Sequence, residues 1–170
     1  MKTIVDYINE ALHNEDWLSN AKNNEVEFVK AALENEGWKV KIESEDEDFK
    51  GFDLKVENDS TDEKFGGKFN IDVKGCSAKN KKSKRFLFTS KNSSGEEYPY
   101  KDKHVLAFID YVDKTIALAT DNDIKTLSSK YKEYDSESGD GSKYVLLPKH
   151  EVQKLGRTID PSEEIKSLLK

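Results

Sequence analysis

The chain has 170 residues, with 28 Lys and Arg set against 34 Asp and Glu for a formal net charge of −6. That length favours one domain, and Leu, Ile, Val and Phe make up only 40 residues while 36 % are charged, so the core must be economical and the surface heavily ionised. No apolar run approaches the roughly 18 residues of a membrane span, Met1-Lys2-Thr3-Ile4-Val5-Asp6 lacks the apolar stretch of a signal peptide, and one cysteine, Cys76, excludes an intrachain disulfide, a Cys-rich zinc knuckle and a four-Cys iron–sulfur cluster.

The expectation is therefore a cytoplasmic globular domain without a membrane partner. Its charge is unevenly spread: residues 41–65 hold ten acids and four lysines, whereas residues 74–104 hold nine Lys and Arg and three acids. An acidic half beside a basic half points to a polyanion held on one face, although so charged a chain also shows local runs by chance.

In chain order, a first helix is expected from about Thr3 to Leu18 with Ile4, Val5, Ile8 and Leu12 inward. A second begins after Asn23-Asn24 and ends at Gly37, with Phe28, Val29, Ala32 and Leu33 as its buried stripe. Three strands follow, in which Trp38, Val40 and Ile42, then Phe52, Leu54 and Val56, then Phe69, Ile71 and Val73 alternate with polar residues. Phe86–Ser90 reads as a fourth strand, and Val105–Val112 and Thr115–Thr120 as a hairpin turning at Asp113-Lys114. Asp121 is expected to cap a helix reaching Tyr134, ahead of a polar loop over Asp135–Ser142 and a strand at Tyr144–Leu147. Asp160-Pro161 should open a last helix with Ile165, Leu168 and Leu169 on one side. The pattern is α+β or α/β around a central sheet.

The chemistry gathers between residues 25 and 74. Glu25 precedes Phe28 and Val29 by three and four residues, so it shares their inward face. A carboxylate there needs a partner, such as a metal or a buried base, unless it stays wet in the first turn and complements the helix dipole. Around the 58–67 loop, pairing Glu57 with Lys68 sets Asp53 directly across from Asp72. Lys74 then falls on the face of Asp72, and the apolar set on the other. Opposed carboxylates cost stability unless a cation sits between them. Two such acids suit Mg²⁺, with Mn²⁺ able to substitute. The ion would polarise a phosphoryl oxygen and acidify a bound water, and Lys74 would orient or deprotonate that water or stabilise the charged phosphate. The basic run Lys79, Lys81, Lys82, Lys84 and Arg85, with Lys91 beyond it, would neutralise flanking phosphates.

Glu25 on a helix, Gly51-Phe52-Asp53, and Ile71-Asp72-Val73-Lys74-Gly75 together resemble the PD-(D/E)XK nuclease superfamily, over roughly residues 24–91 and more loosely through 105–120. A bare D/E-x-K string carries little, since Asp48/Lys50, Asp53/Lys55, Asp62/Lys64, Asp123/Lys125 and Glu164/Lys166 match it too; only Asp72/Lys74 has an opposed upstream acid. The resemblance implies a restriction-endonuclease-like core, a mixed central sheet flanked by helices, and Mg²⁺-dependent DNA cleavage. It makes Asp53 and Asp72 the paired acids and metal ligands, adds the Val73 carbonyl as a ligand, makes Lys74 the motif lysine, and matches Glu25 to the helix-borne acid of many members. Phe52 stands where proline is common, and the Gln-x-x-x-Tyr motif of the recombination-type exonucleases is absent.

The reading that follows is a DNA endonuclease of restriction, homing or junction-resolvase type. It would act as a homodimer or higher homo-oligomer, since a chain this small cuts both strands by symmetry. Two others stand beside it: a phosphodiesterase directed at RNA or nucleotides with the same metal site, and a catalytically silent acidic module of inhibitor, immunity or DNA-mimic type using the run Glu45–Asp48. His13, His104 and His150 have no ligand spacing and read as surface or capping residues, and Cys76 as a packed thiol.

Overall fold

The computed structural model describes residues 24–43, 53–75, 84–96, 104–136 and 139–169. The expected helix at Thr3–Leu18, the acidic run Glu45–Asp48, Phe52 and Cys76 lie outside these residues. Helix α1 spans 24–35. Gly37, at φ +90°, closes it: the Gly37 N–H donates to Glu34 C=O at 2.9 Å and the Trp38 N–H to Leu33 C=O at 3.2 Å, the left-handed close that glycine makes without a Cβ penalty.

The strands are β1 (Lys39–Ile42), β2 (Leu54–Asn58), β3 (Gly67–Lys74), β4 (Arg85–Lys91), β5 (His104–Asp110), β6 (Thr115–Thr120), β7 (Glu133–Asp135), β8 (Lys143–Pro148) and β9 (Arg157–Ile159). Helices α2 (Asp121–Ser128), α3 (Lys149–Leu155) and α4 (Glu163–Lys166) complete the described elements. The fold is mixed α/β. One six-stranded sheet runs β1-β2-β3-β5-β6-β9, and a three-stranded sheet runs β4-β8-β7. In the larger sheet β1, β2 and β3 form an antiparallel meander, β5 lies parallel to β3, and β6 and β9 follow antiparallel.

Two cores sandwich the larger sheet. On one face Leu54, Val56, Phe69, Ile71, Val73, Val105, Ala107 and Ile109 meet Phe28, Val29, Ala32 and Leu33 of α1. On the other, Leu106, Phe108, Ala117 and Ala119 meet Phe86 and Phe88 of β4, Val145 and Leu147 of β8, Ile124 of α2 and Val152 of α3. Every residue of β5 is buried, as expected of a central strand covered on both sides. The second core covers β5 and β6. Over β1, β2 and β3 the same face carries polar side chains and an open groove of about 570 Å³.

Three expectations are corrected. The helix opening near Asp121 stops at Ser128, and its cap is Thr120, whose hydroxyl accepts the Asp123 N–H at 3.2 Å. Ser128 and Ser129 turn their hydroxyls onto the Lys125 and Thr126 carbonyls at 2.8 and 2.7 Å, a competing bond that weakens a helix end. The chain beyond becomes β7, paired with β8 and stacking Tyr134 on Tyr144 at 5.5 Å. The last helix is four residues long and capped by Ser162, so Leu168 and Leu169 lie beyond it, Leu169 buried and Leu168 40 % exposed. Helix α3 and strand β9 arise where no element was expected. Strand β9 is held beside α1 by Arg157, which pairs with Glu36 at 2.7 Å and lies 5.4 Å from the Trp38 ring. Among the described residues no helix is long and apolar enough to cross a membrane.

Candidate functional site

The loop between β2 and β3 is pinned by its own side chains, which secures the register that a long loop otherwise leaves open. Asn58 Nδ2 donates to Phe65 C=O at 2.7 Å, and Asp62 accepts the Lys64 and Phe65 N–H groups at 2.8 and 3.0 Å. Those bonds hold the Asp62 carboxyl below its ordinary range. The pairing is Glu57↔Lys68 through Leu54↔Ile71, as the sequence predicts.

One residue past that ladder, Asp53 bonds to β3 on either side of Asp72. The Asp53 N–H donates to Ile71 C=O at 2.8 Å, and its Oδ2 accepts the Val73 N–H at 2.8 Å. A carboxylate held by a backbone N–H makes a charge-assisted bond and needs no neighbouring side chain to orient it. Asp72 is 9 % exposed and Lys74 Nζ lies 2.8 Å from its Oδ2. Both side chains project away from α1, because Ile71 and Val73 take the α1 face.

Glu25 is also buried. Tyr111 donates its hydroxyl to Glu25 Oε1, and a Cβ added at Gly75 would overlap the Glu25 carboxylate. The helix-borne acid therefore lies against the backbone one residue past Lys74, where a larger residue would have to displace the Glu25 carboxylate. Tyr111 is a member of this constellation that sequence reading missed; as the first residue after β5, it gave no signal except its place in the expected hairpin. Tyr111→Phe should cost about 1–3 kcal/mol, because it removes a donor from a buried carboxylate. Thermal melting checks this, and an unchanged midpoint would show that the hydroxyl is dispensable.

The other predicted residues are placed as follows. Lys79, Lys81 and Lys82 lie outside the described residues. Lys84 and Arg85 are exposed at the start of β4, in the smaller sheet. Lys91, at the other end of that strand, pairs with Glu133 at 3.2 Å. Together with the Ser90 hydroxyl it holds the Glu133 carboxyl below its ordinary range, the Ser90 bond being the larger cause. His104, expected at the surface, is 3 % exposed, since it opens the buried strand β5 and pairs with Asn70 beside β3.

Among the described residues no three His, Cys, Asp or Glu side chains gather into a group able to hold a metal ion. Asp53 and Asp72 supply two hard oxygen donors rather than a cage. That donor set fits Mg²⁺, which is usually bound through one or two carboxylates and keeps several waters for exchange with substrate phosphate. No protein-family model, curated protein or solved structure matches the chain.

Proposed function

We propose that this chain is a metal-dependent endodeoxyribonuclease built on a restriction-endonuclease-like core. The observation that carries the reading is the Asp53 carboxylate held on the Val73 N–H just past the β2–β3 ladder, with Lys74 held on the neighbouring Asp72. The order of elements also favours it: a helix bearing a buried acid, an antiparallel meander, and then a strand parallel to the third.

In this reading Asp53, Asp72 and the Val73 carbonyl hold Mg²⁺ or Mn²⁺, which when bound supplies Lewis-acid polarisation of the phosphodiester and a more acidic water. Lys74 places a positive charge where the phosphoryl oxygens become more negative, which is where a fixed cation contributes most to the transition state. Asp72 orients that ammonium. Glu25, anchored by Tyr111, sets the backbone at Gly75 and through it the end of β3.

Supercoiled plasmid, linear duplex, single strands, RNA and a four-way junction incubated with Mg²⁺, Mn²⁺ or EDTA test this. The expected result is cleavage of DNA with either metal and none in EDTA. Absence of cleavage together with no Mn²⁺ heat signal in calorimetry would overturn it, and would favour the silent interaction module.

A further inference from the structure

Among the described residues a cationic surface lies on the same sheet as Asp72. In register across β1, β2, β3 and β5, Lys41, Lys55, Asn70 and His104 form one row, and Lys39, Glu57 and Lys68 the next. All four lysines are exposed, and they line the open groove on this face of the sheet. With about 3.4 Å of rise per residue, these two rows fall about 7 and 14 Å along the strands from Asp72.

This face is costly as it stands. Lys41 and Lys55 are directly opposite one another, and like charges so placed destabilise a sheet. Lys55 is offset by Glu43, 3.2 Å away, and Glu57 stands between Lys39 and Lys68. Lys39, Lys41 and Lys68 make no ion pair among the described residues. A surface that concentrates cations in a groove, next to the Asp53 and Asp72 carboxylates, is electrostatically complementary to a polyanion bearing a metal at one end.

We infer that the β1–β2–β3 face is a DNA-binding surface, on which the phosphate backbone lies along the strands over Lys39, Lys41 and Lys68 and reaches Asp53 and Asp72 at its end. The inference deepens the nuclease reading by naming the surface that holds the substrate, and its test is made without metal so that binding and cleavage are judged separately.

Fluorescence anisotropy of a labelled duplex and of a labelled single strand, in EDTA and across a salt series, compares three proteins. These are the wild type, Lys39→Gln/Lys41→Gln/Lys68→Gln, and Lys130→Gln/Lys132→Gln/Lys154→Gln, which removes equal charge from α3 and the α2–β7 turn. Circular dichroism checks that each is folded. The face variant is expected to lose at least about tenfold in affinity for DNA, with a salt slope shallower by about 3, one unit for each phosphate contact removed. The control should keep the wild-type slope. A wild type that binds neither DNA, a face variant with unchanged slope and affinity, or equal losses in both variants would overturn the inference. DNA binding lost in the face variant while the wild type cuts no substrate would uphold the surface and sink the nuclease reading alone.

Discussion

Asp72→Asn should reduce metal-dependent DNA cleavage by at least about a thousandfold while leaving the fold intact. On the proposed reading the group removed is a metal donor, and its loss also takes away the partner that holds Lys74 Nζ at 2.8 Å. Metal polarisation of a phosphoryl oxygen contributes several kcal/mol, and each 1.36 kcal/mol is about tenfold in rate. Lys74→Ala should lose about a hundred- to a thousandfold, the usual effect of deleting one preorganised charge or donor at the reacting oxygen. Because Asp72 orients Lys74, the double variant should be little worse than Asp72→Asn alone, as residues acting as a unit are far from additive. Single-turnover cleavage of plasmid DNA by the four proteins measures this. Strictly multiplicative losses would show that the two side chains act independently.

The second large effect is on stability. Lys149, at the start of α3, pairs with Asp110 at the end of β5 at 2.9 Å, with side-chain exposures of 12 % and 6 %. Its Nζ also sits 5.5 Å from the centre of the Phe86 ring, so one lysine ties the smaller sheet to the central strand of the larger one. Asp110 further accepts the Val112 N–H at 3.0 Å and caps the β5–β6 turn. Lys149→Met keeps most of the packing but strands a buried carboxylate, a loss of about 3–5 kcal/mol. For a chain of this size that lowers the melting midpoint by roughly 6–20 °C. Adding Asp110→Asn should restore more than half, since the amide oxygen still accepts the turn N–H groups and no charge is left buried. A single variant within about 1 kcal/mol of wild type would show that water reaches Asp110 and replaces the ammonium.

The α1 stripe, the Gly37 close, the three alternating strands of the meander and the β5–β6 hairpin were all legible because each leaves a local periodic or turn signal. The β2–β3 register was legible too, since one assumed pair, Glu57 with Lys68, determines every other pair in an antiparallel ladder, here as far as Leu54 with Ile71. The end of α2 was not. Its residues up to Tyr134 suit a helix adequately, and only pairing with β8 and the Tyr134–Tyr144 stack make the strand preferable. Strand β9 is three residues long and exists because the edge of β6 and Glu36 and Trp38, just beyond α1, receive it. His104 read as polar surface because its burial depends on the elements packed on either side of β5.

By itself the sequence determined which residues face inward on α1, β2 and β3, and that an acid and a lysine share the polar face of β3, whereas Ile42 of β1, expected inward, is 39 % exposed. Side-chain alternation at periods of 3.6 and 2 is a property of the backbone alone. Tertiary structure decided what those faces meet. It put Tyr111 on Glu25, 86 residues away, laid the smaller sheet over β5 and β6, and kept the lysines of β1 to β3 exposed. Those outcomes follow from long-range packing, in which each partner is chosen by the shape and charge left exposed after the local elements have formed.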